Sequence, residues 1–290
     1  MPYPNGTIVY SAPVQLKRHE LVTVERMYSP EVISETVVEQ ITYISDGLRI
    51  NGYMARPRAE GRYPLLIWNR GGSGDRGALN DLTSYLILAS TAVWGYVVLA
   101  THYRGNRGSE GTEDWGGKDV NDAYNLLETA KFVPGCDLDR VAIEGASRGG
   151  MTTYRILQRD DRFKCALVHA GLTDIFSLCE QKQDFKDYVK SLFARYSNAD
   201  RKAELAKRSV ILNIDKLPKT IPILLMHGDK DTVVPLEQSE AMAARLTEYG
   251  IPHEFHVIPG GTHVALKDGT YKPIDELRKA WLEKHLTPHR

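Results

Sequence analysis

Three residues of this chain have the types and surroundings for nucleophilic chemistry: Ser147, Asp231 and His263. Ser147 lies at the centre of DRVAIEGASRGGMTTY, residues 139–154. There a short apolar run (Val141, Ala142, Ile143) gives way to helical spacing from Met151 to Leu157, so the hydrophobic period changes across Gly145-Ala-Ser-Arg-Gly149. That pattern predicts a strand, a sharp turn and a helix. A serine on such a turn is held in a strained conformation with its hydroxyl exposed. Gly145 and Gly149 are required because side chains there would strike the neighbouring strand and helix. Asp231 follows the apolar segment IPILLMH (221–227), and His263 follows the segment 253–258, so each falls in a loop at a strand's carboxyl end. Ser, Asp and His in that order, each after a predicted parallel strand, converge on one sheet edge, where the histidine takes the serine proton and the acid fixes its tautomer.

An attacked carbonyl also needs donors for the charge that develops on its oxygen. The N–H of Arg148, at the start of the helix, is one candidate; Gly71 or Gly72, in the glycine-rich stretch RGGSGDRG after the strand Tyr63–Asn69, supplies the second. That stretch also contains Gly72-x-Gly74-x-x-Gly77, the spacing of a dinucleotide fingerprint. Such a site needs this strand to open the fold and an acid to end the next one. Neither condition holds, because a hairpin precedes it and the next strand ends Thr101-His102-Tyr103-Arg104.

The elements that must position these groups read as an α/β fold. Residues 1–36, punctuated by Pro2, Pro4, Pro13 and Pro30, are expected to form an N-terminal arm without chemistry of its own. Residues 37–45 and 48–56 alternate and meet at Asp46-Gly47, a hairpin signal. Residues 63–69 and 96–102 are apolar on both faces, as buried parallel strands are, with a helix predicted over 79–93 between them. The segment 103–128 begins as a loop and becomes a helix, with Asp119 as its expected N-cap; Arg104, Arg107, Glu110 and Glu113 are expected to brace that loop in structural pairs. Residues 172–219 are polar and helix-forming, with Phe185, Tyr188, Val189, Leu192 and Phe193 on one face. They are the expected helical lid inserted into the domain 37–290. Asp174 is expected to cap its first helix.

Composition narrows the function. Lys plus Arg and Asp plus Glu both number 37, so no global field attracts nucleic acid or an anionic membrane. Cys136, Cys165 and Cys179 have no ligand-like spacing, and neither a metal nor an organic cofactor is called for. No leader pattern or spanning apolar stretch is present, so a cytoplasmic location is expected. His253 and His256 lie three apart on a predicted strand and face opposite sides, which makes them poor co-ligands, and His102 and His169 read as packed strand ends.

In combination these motifs resemble the catalytic domain of the prolyl oligopeptidase family, within the α/β-hydrolase superfamily. GASRGG is similar to the family's GxSxGG, HGDKDTVVP to HGxxDxxVP, PGGTH to its glycine-histidine loop and YRGNRGSEG to its arginine-glycine loop. The likeness covers residues 63–286. It implies a mostly parallel sheet with an antiparallel N-terminal hairpin, helices on both faces and a helical insertion. It implies Ser147, Asp231 and His263 as nucleophile, acid and base, with Gly71, Gly72 and Arg148 lining the oxyanion hole. Arg148 stands where the family often has Tyr or Met, introducing charge beside the pocket, and Asn69-Arg70 stand where His or Tyr is usual. The 36 leading residues are too few for the β-propeller of the family's large members. The expected activity is therefore carboxylic ester hydrolysis through an acyl-serine, with hydrolysis of small peptides or aminoacyl amides as the alternative. A silent hydrolase fold used as a binding module is disfavoured by the intact triad. The expected partner is a small ester or short peptide, and a homo-oligomer is left open.

Overall fold

The computed structural model describes residues 3–263 and 270–287, and within them one sheet of nine strands. These are β1 (Ile8–Pro13), β2 (Thr36–Ser45), β3 (Leu48–Pro57), β4 (Tyr63–Asn69), β5 (Val97–Thr101), β6 (Cys136–Ala146), β7 (Cys165–His169), β8 (Ile223–Gly228) and β9 (His253–Ile258). Their order across the sheet is β1-β2-β3-β5-β4-β6-β7-β8-β9. Asp46 and Gly47 both have positive φ, 51° and 78°, as a two-residue hairpin requires, and β2 pairs antiparallel with β3 along its whole length. The pairing of β3 with β5 is antiparallel, and every pair from β5 to β9 is parallel. Three adjacent parallel strands, β6, β7 and β8, thus end at the same edge as β9, and the loops that follow them carry the candidate site.

Side chains alternate between two buried layers because successive strand residues point to opposite faces. On β4, Leu65 and Ile67 pack with Met151, Tyr154 and Ile156 of the helix Arg148–Leu157, whereas Leu66 and Trp68 pack with Leu88, Ala92 and Trp281 on the other side. The helix expected over 79–93 runs as Asp81–Ser84, a π-helical turn Tyr85–Ala89 and Ser90–Ala92. Residues expected as an arm contribute β1, which adds to the sheet edge against β2, and the helix Arg18–Met27, anchored by the fully buried Val24.

The expected insertion folds as the helices Ile175–Gln181, Gln183–Leu192 and Asn198–Arg208, followed by a 3-10 turn Val210–Lys216. Asp174 caps the first, accepting from the amides of Phe176 at 2.9 Å and Ser177 at 3.3 Å. Phe185, Tyr188 and Phe193 each place a ring centroid 6.2 Å from that of Trp115, so the apolar face read in the sequence closes over one buried indole. Lys182 donates to the carbonyls of Thr232 and Val233, and Arg195 and Arg208 both pair with Asp114. The insertion is fastened to the loop that carries Asp231 on one side and to the 114–117 loop on the other.

Asp119 stands at the expected N-cap position before Val120, but its side chain is employed elsewhere. It makes no capping bond to the helix Val120–Tyr124; its Oδ1 accepts from the amide of Gly116 at 2.8 Å and its Oδ2 pairs with Arg148. A buried guanidinium is a stronger attractor for a carboxylate than a helix amide that water could satisfy.

Candidate active site

Ser147 has φ 57° and ψ −123°, a backbone state that L-residues with a Cβ rarely adopt. The turn is locked by its neighbours: the Ser147 amide donates to His169 O at 2.8 Å, and Ser147 O accepts from Gly150 at 2.9 Å and Leu172 at 3.1 Å. A Cβ on Gly145 would collide with the carbonyl of Gly149, and one on Gly149 with the carbonyl of Asn69, so both glycines are fixed by close approach. The elbow read from sequence is present with its serine at the apex.

Asp231 is turned inward, its side chain wholly shielded. Oδ1 accepts from the amides of Val233 at 2.7 Å and Val234 at 3.0 Å, while Oδ2 lies 2.7 Å from His263 Nδ1 and 3.1 Å from His227 Nε2. Burial alone would raise this carboxyl, but the hydrogen bonds from His227 and His263 and from the Val233 amide hold it far below the usual carboxylate range. It is ionised at any working pH. The neighbouring Asp229 is exposed and accepts from the amide of Gly260 at 2.7 Å, so of the two aspartates in this loop only Asp231 meets the histidine.

His227 is a member of the site that the sequence reading left unassigned. Its Nε2 faces two acceptors, Asp231 Oδ2 and Val234 O at 3.0 Å, and so carries the proton; its Nδ1 accepts from Ser239 Oγ at 2.7 Å. The signal lay in its position as first residue of HGDKDTVVP. A Cβ on Gly228 would strike the carbonyl of Gly261, so the glycines of these two loops allow the acid and histidine loops to touch.

Next to the elbow, a Cβ placed on Gly71 would lie 3.5 Å from Ser147 Oγ, so the glycine-rich loop closes directly over the serine. Among the described residues no protein acceptor takes the N–H of Gly71, Gly72 or Arg148. The Arg148 side chain, expected to bring charge beside the pocket, is instead buried and paired with Glu113 and Asp119. Arg70 is fully buried and donates to the carbonyls of Gly71, Gly74, Arg76 and His102 at 2.8–3.2 Å, so it scaffolds the loop from within.

The remaining candidates have structural partners. Arg104 pairs with Asp122 and Asp46, and Glu110 accepts from the amide of Arg49 at 2.8 Å. His169 Nε2 sits 2.5 Å from Glu144, which also binds Arg278 through two bonds of 2.7 and 2.9 Å. His102 is buried against Tyr53, and burial together with Arg70 and Arg107 pushes it down to about 3, leaving it neutral. His253 Nδ1 donates to Ile251 O, two residues before its strand begins, and His256 pairs with Glu254. All three cysteines are free thiols.

With this geometry in view, the prolyl oligopeptidase family matches residues 83–289, more than two-thirds of the chain. The chain belongs to the prolyl oligopeptidase family. It is therefore a serine hydrolase built on the α/β-hydrolase fold. Among its relatives, the "Uncharacterized peptidase YtmA" of Bacillus subtilis is 29% identical over 243 residues, 83% of this chain and 91% of that protein. A probable dipeptidyl-aminopeptidase B of Talaromyces stipitatus is 27% identical over 240 residues, but the match spans only 25% of that longer protein. Of solved structures, uncomplexed Pyrococcus horikoshii acylaminoacyl peptidase superposes with a TM-score of 0.75 at 20% identity, covering 95% of this chain and 45% of the other. Acetyl xylan esterase 1 from Thermoanaerobacterium superposes at 0.60 and 18% identity, with 86% and 84% covered. These superpositions establish the fold, and among the described residues no helix is long and apolar enough to cross a membrane.

Proposed function

We propose that the chain hydrolyses carboxylic esters of small acyl groups through a covalent acyl-serine, with Ser147 as nucleophile, His263 as base and Asp231 as the orienting acid. The observation that carries this reading is the conjunction at one sheet edge of a strained, half-buried serine, unengaged amides beside it and a buried ionised carboxylate on His263 Nδ1. Ser147 Oγ bonds to the substrate carbonyl carbon as its proton passes to His263 Nε2. The carbonyl π electrons move onto oxygen, where the N–H groups of Arg148 and of Gly71 or Gly72 receive the charge. Collapse expels the leaving group, which takes the proton from His263; water then repeats the sequence on the acyl-serine, restoring Ser147.

Ester rather than aminopeptide chemistry is favoured by where the acids are. Glu110, Glu113, Asp114 and Asp119 of the loop nearest the elbow are engaged by Arg49 N, Arg148, Arg195 with Arg208, and Arg148 respectively. Glu113, Asp114 and Asp119 are neutralised by guanidinium groups and poorly placed to clamp a substrate ammonium, which limits the remote binding energy for a substrate with a poor amine leaving group. The second reading, cleavage of short peptides or aminoacyl amides, is favoured by the peptidase names of the relatives. Steady-state kcat/KM on an acyl ester and the matching amide separates them. The proposal expects the ester to be faster by orders of magnitude; an amide equal to or faster than the ester overturns it in favour of the second reading.

A further inference from the structure

The glycine-rich loop that closes over Ser147 is not held by its own backbone alone. Seven of its residues, Gly71 to Gly77, include Gly72, Gly74 and Gly77 at positive φ, 72°, 55° and 72°, a sequence with high intrinsic freedom. Two bridges fix it from the elbow side. Arg148 Nη1 donates to Gly72 O at 2.8 Å and pairs with Glu113, and Glu113 in turn accepts from Ser73 Oγ at 2.5 Å, from the Gly74 amide at 3.2 Å and from Asn106 Nδ2 at 3.3 Å. Below them Arg70 and Arg148 both lie over the Tyr103 ring, 5.1 and 4.9 Å from its centroid, and the Tyr103 hydroxyl donates to Arg70 O at 3.2 Å.

The charges agree with this arrangement. Burial would depress Arg148, but Asp119 and Glu113 beside it keep its guanidinium protonated and raise it overall; burial would raise Glu113, but Arg148 holds it low. The pair is a permanent ion pair at working pH. A guanidinium offers several donors in a fixed plane, and here it addresses Gly72 O, Glu113 and Asp119 together, which an ammonium on a flexible stem cannot do with the same geometry.

We propose that Arg148 and Glu113 are positioning residues for the oxyanion hole: they latch the Gly71–Gly74 turn to the elbow so that the Gly71 or Gly72 amide is pre-aimed at the oxygen of the attacked carbonyl. Arg148 thereby has two parts in one residue, its amide as a donor to the oxyanion and its side chain as the clamp on the second donor. This rests on the reading of Ser147 as nucleophile. An amide held a fraction of an ångström off loses transition-state stabilisation while ground-state binding is hardly touched, so the effect falls on kcat and not KM.

The test uses Glu113→Gln and Ser73→Ala in the full chain, with kcat and KM measured on an activated ester and on the matching thionoester, whose sulfur is a poor hydrogen-bond acceptor. For Glu113→Gln the expected result is a loss of about 10- to 100-fold in ester kcat, bounded by the effect of deleting a whole oxyanion donor, with KM nearly unchanged. The ester-to-thionoester ratio falls with it, since the thionoester draws less on the hole. Ser73→Ala, which removes one anchor without touching a buried charge, moves kcat and the ratio the same way by a smaller factor. A general loosening of the fold would lower both substrates alike and leave the ratio fixed. The proposal is overturned if both variants keep wild-type kcat, or if kcat falls with the ratio unchanged; should Glu113→Gln fail to fold, Ser73→Ala decides alone. Failure of the nucleophile reading is distinguishable, because the wild-type protein would then show no turnover dependent on Ser147.

Discussion

Replacing Asp231 with asparagine changes one atom and should silence the site for a reason the hydrogen bonds make explicit. Oδ1 accepts from two backbone amides, those of Val233 and Val234, which cannot reverse their polarity. An asparagine must therefore keep its oxygen there and turn its NH2 toward His263 and His227, which occupy Oδ2 at 2.7 and 3.1 Å. Facing a donor, His263 must present a bare Nδ1, and its proton moves to Nε2. In that tautomer Nε2 cannot take the proton of Ser147. Triads so altered lose about 10⁴-fold in kcat, equivalent to roughly 5 kcal/mol of transition-state stabilisation. His227 makes the swap worse: its Nε2–H is also committed to Val234 O, so it too meets the new NH2 as a donor. The assay is kcat on an activated ester for Asp231→Asn beside Asp229→Asn, with near-ultraviolet circular dichroism to verify the fold. Among the described residues the Asp229 side chain bonds only the Gly260 amide, and it is exposed, so its variant should stay within about threefold of wild type, the range of ordinary surface substitutions. A folded Asp231→Asn retaining a tenth of wild-type kcat would refute the orienting role, as would a larger loss in the Asp229 variant.

Two further expectations concern Glu144, the buried acid on the elbow strand β6. Arg278→Leu strips Glu144 of its guanidinium, leaving a charge 1% exposed whose one other side-chain partner among the described residues is His169, and should destabilise the fold by about 3–5 kcal/mol in urea denaturation. A loss below about 1 kcal/mol, the range of exposed pairs, would contradict the assignment. The pair also fixes a pH dependence. Burial alone would raise Glu144, but Arg278 and His169 bring it down to about 2. Because the folded value lies below the ordinary one, its stabilisation is present above pH ~4.5 and is lost as pH falls toward 2, on the order of 3 kcal/mol in all. The gap in urea stability between wild type and Arg278→Leu should accordingly shrink between pH 5 and pH 3, and a constant gap would count against it.

The strand-end positions of Ser147, Asp231 and His263, the proposed nucleophile, acid and base, were legible because each follows a segment that reads as a strand, and chain order with strand ends suffices to place the three loops at one edge. The insertion's apolar face was legible for a similar reason, since Phe185, Tyr188, Val189 and Phe193 recur at helical spacing. Pairings across the fold were not. Arg148 meets Glu113 and Asp119, 35 and 29 residues earlier, and no local pattern distinguishes an aspartate that caps its own helix from one drawn away by a distant guanidinium. His227 was visible in its motif but not its second bond to Asp231, which depends on how the loop folds back. The edge strand β1 was hidden because IVYSAP is mostly exposed and ends in proline, so its alternation is blurred.

The central claim, that this chain works through an acyl-serine at Ser147, is most directly tested by treating it with a fluorophosphonate and locating the adduct by peptide mass spectrometry. The expected result is a single stoichiometric phosphonyl adduct on the peptide containing Ser147, formed in step with loss of esterase activity and absent from Ser147→Ala. An unlabelled Ser147 in an active enzyme, or a Ser147→Ala variant that still turns over ester at a tenth of the wild-type rate, would contradict it.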